Sequence, residues 1–158
     1  MNKDSIRLAI IQELESQLEL AIKAANEARD LATHEQSQPE TQYDTVGLEA
    51  SYLAHGQSQR VLDLQDTLQT YRKLTLNAFS EDDEIRLTAL VTLLYPSGEE
   101  RVLFLGPSAG GLEFNLKNQT IQVVTPDAPI SQQMIGLYEG DELTLPGLHA
   151  PVEIISIL

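Results

Sequence analysis

The sequence predicts an α+β chain: an N-terminal antiparallel coiled-coil helical hairpin, then a small antiparallel β domain carrying one short helix. Three observations predict it. Apolar residues recur in alternating steps of four and three on both sides of a polar stretch in the first half. Near residue 80 the character changes from Gly-poor and periodic to β-branched runs divided by Gly, Pro and Asn. Between the two, Ser80-Glu81-Asp82-Asp83-Glu84 is polar and acidic, as a linker is. The expected boundaries are a hairpin over 1–79 with its tip at 33–44, a linker at 80–84, and the β domain over 85–158.

The first helix rests on Arg7, Ile11, Leu14, Leu18, Ala21, Ala25, Ala28 and Ala32, which follow an a/d heptad. The second rests on Ala50, Ala54, Gln57, Val61, Leu64, Leu68, Tyr71 and Thr75, where Gln57 is the polar break. Folded back, the facing positions sum to 82, from Ala32 with Ala50 to Arg7 with Thr75. Ala meets Ala near the turn, and Leu18 and Leu14 meet Leu64 and Leu68 in the middle. Arms of about 30 residues each span on the order of 45 Å at ~1.5 Å per residue. The connection THEQSQPETQYD is polar and holds Pro39, which cannot continue a helix.

In the second half, Arg86–Tyr95 is a β run, Pro96-Ser97-Gly98 a turn and Arg101–Leu105 a second run. Residues 106–111 read as a loop. Leu112–Leu116 alternates with period two, and Lys117-Asn118 reads as a hairpin turn into Thr120–Val124. Ile130–Leu137 reads as a short helix. A turn at Glu139-Gly140-Asp141 precedes the short strand Glu142–Leu145, and Val152–Ile157 is the last strand.

Composition narrows the chemistry. The absence of cysteine removes disulfides, thiolate metal sites and a Cys nucleophile, and suits a reducing, cytoplasmic setting. The N-terminal stretch has charges every few residues, so neither a signal peptide nor a membrane span is expected. The net charge of −14 disfavours a direct grip on nucleic acid, since the ten Lys and Arg residues form no basic patch. Residues 1–80 hold 7 basic and 12 acidic residues, and 81–158 hold 3 and 12, so the second half is the more acidic. His34, His55 and His149 lack metal spacing. The Gly106–Gly111 loop lacks the Gly-Lys-Ser/Thr ending of a phosphate loop, and Ser108 has no visible catalytic partners.

The acids in and beside the connection, Glu35, Glu40, Asp44 and Glu49, are the first candidates for function. Carboxylates suit Mg²⁺, a hard cation that keeps most of its waters and needs only one or two protein oxygens. Loop acids are also commonly just solvated, and Asp44 equally suits a helix N-cap. Turn chemistry explains Thr41 and Asp44 in Thr41-Gln42-Tyr43-Asp44-Thr45. It explains Tyr43 less well, since an aromatic ring in a polar loop often packs on a partner.

A longer resemblance ties these features together. Val123-Val124-Thr125-Pro126-Asp127-Ala128-Pro129-Ile130-Ser131, then Met134-Ile135-Gly136-Leu137 and Glu139-Gly140-Asp141, is similar to a pattern of the Gre family of transcription elongation factors. That pattern is Ser-Pro, a small-residue helix ending in Leu-Ile/Leu-Gly-Lys, and Gly-Asp before the last strands. Ser51-Tyr52-Leu53-Ala54 resembles the Glu-Tyr-x-Ala stretch that opens the family's second helix. The resemblance spans essentially the whole chain and implies an FKBP-like C-terminal domain. It implies a monomeric factor that docks at the secondary channel of bacterial RNA polymerase, meeting nucleic acid only through the polymerase. The hairpin would enter the channel, where tip acids help the polymerase bind Mg²⁺ and cut its own backtracked RNA. The factor would not be an enzyme itself. Asp44, with Glu40 or Glu49, would assist the polymerase, and Asp44 would be the metal ligand. Tyr43, Pro129, Ile130, Met134, Gly136 and Asp141 would serve partner binding.

The tip departs from the family pattern. Cleavage-active members have Gly-Asp-Leu-x-Glu-Asn-Ala-Glu-Tyr, with Asp and Glu three apart. Here Asp44 follows Tyr43, Gly47 comes three residues later, and the next Glu is Glu49. Five residues on a helix turn the second carboxylate off the first one's face. A channel-occupying modulator that does not promote cleavage is therefore a second expectation. A prolyl isomerase with a helical clamp is a third, from another class; it needs an aromatic-lined pocket, for which Tyr95, Phe104, Phe114 and Tyr138 are the candidates.

Overall fold

A computed structural model describes residues 1–34 and 46–158. Helix α1 covers Lys3–Thr33 and α2 covers Val46–Lys73, 31 and 28 residues long, so each arm is ~42–46 Å. The chain divides into two compact units, Ile11–Arg72 and, together, Met1–Ile10 with Lys73–Leu158. No helix among the described residues is long and apolar enough to cross a membrane.

In the helical unit the predicted stripes are the ones that leave water. Leu14, Ala21, Ala28, Ala50, Leu64, Leu68 and Tyr71 are buried, and Leu18, Ala25, Ala54, Gln57 and Val61 are half-buried. Gln57 keeps access to water, so its amide does not need a buried partner. Arg72 bonds Glu15 at 2.7 Å, linking the two helices. Exposed at both ends, it adds little energy and much orientation.

The stripe breaks down at the base, which corrects the first layer expected from sequence. Ile6 and Ile10 are fully buried there, while Arg7 and Ile11 are only half-buried. Straight helices drift ~20° per heptad against a strict 3.5 repeat, and the first ten residues belong to the other unit. Thr75 lies beyond the end of α2 and is exposed. Arg7 does not face it as a coil layer. Its guanidinium instead donates to the Leu74 carbonyl at 3.1 Å, just past the helix end, where the macrodipole favours a cation.

The sheet unit has six strands: β1 (Leu90–Leu94), β2 (Glu100–Leu105), β3 (Glu113–Leu116), β4 (Gln119–Val124), β5 (Glu142–Leu143) and β6 (Val152–Ile157). Helix α3 covers Pro129–Met134, between β4 and β5. The spatial order is β3-β4-β2-β1-β6-β5, and every neighbouring pair is antiparallel except β2 with β4. The sheet is therefore mostly antiparallel, with one parallel pair. From β2 the chain passes to the outer edge as β3, turns at Lys117-Asn118 and returns into the gap. Both turn residues have positive φ (50° and 64°), as a two-residue primed turn requires.

Two irregularities shape the core. Between Thr92 and Leu93 the pairing of β1 with β6 slips by one residue. The slip restores phase, so Val152, Ile154 and Ile157 are all buried although the last two are three apart. They pack with Ile85, Val91, Leu93, Leu103, Leu105 and, from α3, Met134. The run Arg86–Tyr95 yields a strand only from Leu90, because Thr88 has φ 72° and reverses the chain. A β-branched residue rarely takes that conformation. Thr88 is held there by three bonds. Its N–H donates to Leu105 O (2.8 Å), its hydroxyl accepts from Asn77 N (2.9 Å), and its carbonyl accepts from Lys3 Nζ (3.2 Å).

Residues 80–84 lie inside the sheet unit as a hydrogen-bonded turn: the Ser80 N–H and hydroxyl both donate to Asp83 Oδ2, at 2.8 and 2.7 Å. Those bonds, with Arg86, hold the Asp83 carboxyl down at about 2. Beside the turn, Lys3 and Arg86 both lie against the Phe79 ring, 4.3 and 4.7 Å from its centre. Lys3 also donates to the Asn77 carbonyl. Burial, aided by the nearby Arg86 charge, lowers the Lys3 ammonium to about 8. Nothing local in the sequence marks Lys3, which meets Asn77, Phe79 and Thr88 across more than 70 positions.

Candidate functional site

The sequence points to two regions, the end of the hairpin and the segment from Thr125 to Asp141. At the hairpin end, Glu40, Tyr43 and Asp44 lie outside the described residues, as does Glu35. Glu49 is described. It sits exposed in the first turn of α2, where the positive end of the helix dipole favours a carboxylate. Glu27 and Asp30, near the end of α1, are exposed as well. Among the described residues no group of three or more His, Asp or Glu could hold a metal ion.

Apolar side chains also stand in water here, and the sequence reading did not single them out as a group. Leu31, Leu48, Tyr52 and Leu53 are 51, 55, 71 and 54% exposed. Leu48 and Tyr52, four apart, share the face of α2 turned away from Ala50 and Ala54. That face was legible as the complement of the heptad stripe, and Tyr52 lay within the quoted Ser51–Ala54 motif.

The second region divides into surface and support. Pro129 is exposed at the first turn of α3, where its missing N–H costs no bond. Ile130 is half-buried against the core. Met134 is fully buried within it and presents no surface to a partner. Its position in the Met-Ile-Gly-Leu motif reflects packing: the short helix lays Met134 inward and Ile135, 42% exposed, outward. Gly136 has φ 87° and donates its N–H to the Ile85 carbonyl at 2.9 Å, a reversal that suits a residue without Cβ. Asp141 closes a turn. Its carboxylate accepts from Tyr138 N at 2.8 Å, and its carbonyl accepts from Ile154 N at 2.9 Å. Gly136 and Asp141 therefore shape the segment, while Pro126, Asp127, Pro129, Ile135 and Tyr138 form its surface. Asp127 accepts from the Thr125 hydroxyl at 2.6 Å, which holds its carboxyl below the usual range and keeps it charged.

No protein-family model and no curated protein sequence matches the chain. Solved structures do. The GreA factor homolog 1 (Gfh1) of Thermus thermophilus aligns at 22% identity over 94% of both chains, with a TM-score of 0.37. A second structure of the transcription factor Gfh1 aligns at 21% over 94% of this chain and 93% of that one, with a TM-score of 0.38. Thermus aquaticus Gfh1 aligns at 20% over 92% of each, with a TM-score of 0.36. Such low identities and scores carry no argument about what this chain does. The α+β architecture stands on the helices and strands described above.

The aromatic residues of the sheet unit do not converge. Phe104 is fully buried, Phe114 is nearly so, and Tyr95 lies beneath the Arg101 guanidinium at 4.6 Å. Tyr138 is 44% exposed on the far side of α3 in the chain. A 610 Å³ groove over β2, β4 and the start of β3 is lined by Glu, Arg, Asn, Gln, Thr, Val and Leu side chains and by no ring. The geometry thus offers prolyl isomerisation no aromatic-lined cleft in that groove.

Proposed function

We propose that this chain is a Gre-type factor that binds bacterial RNA polymerase at its secondary channel and regulates elongation. The observation that carries the reading is the hairpin: two antiparallel arms of ~42–46 Å with exposed acids at their joined end. A two-helix finger has little core of its own, and its length suits a narrow channel in a larger partner. The small acidic sheet unit supplies the docking part, through the surface of Pro126, Asp127, Pro129, Ile135 and Tyr138. Its charge complements a basic channel rim. On this reading Asp44, with Glu40 or Glu49, lends a carboxylate to a Mg²⁺ held by the polymerase, and the polymerase performs any cleavage. The protein then needs no cofactor of its own.

One observation favours a second reading, a channel-occupying modulator that does not promote cleavage. Asp44 and Glu49 are five residues apart in the sequence, where the cleavage-active pattern that the chain resembles has Asp and Glu three apart. Both readings are tested with purified, backtracked elongation complexes. Release of short 3′ RNA fragments that Asp44→Asn abolishes, with polymerase binding kept, supports the cleavage reading. No release, with competition against a standard cleavage factor, supports the modulator. Neither release nor competition removes the polymerase reading.

A further inference from the structure

We propose that the open edge of β3, with the groove beside it, binds an extended basic polypeptide segment by strand addition. Strand β3 is at one end of the sheet, paired only with β4. Its four residues, Glu113-Phe114-Asn115-Leu116, include no proline, and the one charge that guards this short edge is negative, which repels an acidic strand and admits a basic one. The pairing parity shows which backbone groups are open. Val123 N donates to Leu112 O at 2.8 Å, and the two-residue turn closes Leu116 on Gln119. Phe114 and Leu116 therefore exchange bonds with β4, while Leu112 only accepts from Val123 and donates its N–H to Ala109 O. Glu113 and Asn115 turn their N–H and C=O groups outward. Two donors and two acceptors, ~7 Å apart along the strand, await an added strand. The Asn115 side chain does not cover them, since its Oδ1 accepts from the Thr120 hydroxyl at 2.8 Å.

The charge around this edge selects the occupant. The 610 Å³ groove is lined by Glu99, Glu100, Arg101 and Glu113, with Leu103 in its floor. Arg101 is already engaged, bonded to Glu99 at 2.8 Å and stacked on Tyr95. Glu100 and Glu113 have no cationic partner among the described residues. Side chains of an added strand alternate between faces, so Lys or Arg at every second position falls on the groove side, next to Glu113. An acidic segment would meet uncompensated carboxylates. The surface is the side of β3 turned away from β4, and the inference is argued without the polymerase reading.

The test is a titration of the ¹⁵N-labelled full chain with acetyl-Lys-Val-Arg-Thr-Lys-Val-amide at low salt, read by amide shifts. Shifts centred on Glu113–Leu116 are expected. In E113Q the affinity should fall about twofold, the worth of one exposed ion pair. Two probes N-methylated at alternate residues distinguish strand addition from charge attraction alone. One should lose binding at least tenfold and the other should keep it, because only alternate N–H groups face β3. No shifts at β3, equal binding of both methylated probes, or equal binding of a Glu-for-Lys/Arg probe would each overturn the proposal.

Discussion

Replacing Thr88 by valine keeps shape and positive φ but removes one hydroxyl. In the native chain that hydroxyl, on a side chain 1% exposed, is the acceptor for the Asn77 N–H at 2.9 Å. Valine would leave that half-buried donor without a partner, at a cost of ~1–2 kcal/mol, the lower part of the usual range because water reaches Asn77. With a urea m-value of ~2 kcal/mol/M, the unfolding midpoint should drop by ~0.5–1 M. Glycine also removes the hydroxyl, yet it relieves ~1–2 kcal/mol of left-handed strain against ~0.5–1 kcal/mol of added chain entropy. Thr88→Gly should therefore fall between wild type and Thr88→Val. The assay is urea unfolding followed by the amide signals of β1 and β2, which report the sheet unit alone. A Thr88→Val midpoint at or above wild type, or a glycine variant below the valine one, would refute the account of Thr88 as a hydrogen-bonded outlier.

Three further outcomes are expected. Asp83 is held near 2, below its ordinary 3.8, so its contribution is full above pH ~4 and is lost as pH falls through 2; the fall in urea midpoint over that window should be shallower in Asp83→Asn, and parallel curves would count against the Ser80–Asp83 turn. Lys3 is lowered to about 8 from 10.5, so the burial penalty is full below pH 8 and is relieved as pH rises towards 10.5. Wild type should gain stability over that window relative to Lys3→Met, and an identical pH profile would contradict a desolvated ammonium. Leu68, 2% exposed in the middle of the hairpin, should cost ~2–4 kcal/mol when cut to alanine, seen as a large loss of α2 amide protection; a loss below ~1 kcal/mol would show that the Leu layers do not hold the arms.

Part of the molecule was legible because its signals are local. The heptad stripes follow from helix geometry, and Leu14, Ala21, Ala28, Ala50, Leu64 and Leu68 are buried as the stripes require. The Lys117-Asn118 turn follows from residue type and two-residue spacing, and both residues take the positive φ that such a turn needs. At the candidate site, the family resemblance pointed to Pro129, which is exposed, and to Ile130, which is half-buried against the core. The same motif also drew in Met134, because an apolar residue reads alike in sequence whether it faces a partner or a core.

By itself the sequence determined two helices and the apolar stripe along most of each, six strands and one short helix. Each depends on periodicity or turn chemistry over a few neighbours, which the chain obeys before it folds. Only the tertiary structure decided that β4 inserts parallel to β2 and leaves β3 as an open edge, since a gap between strands exists only once both flanks are placed. It alone set Thr88 against its backbone preference, because Asn77, Leu105 and Lys3 converge on it from three distant segments. It moved the buried face at the base from Arg7 and Ile11 to Ile6 and Ile10, where burial outweighs the heptad once the first ten residues join the sheet unit.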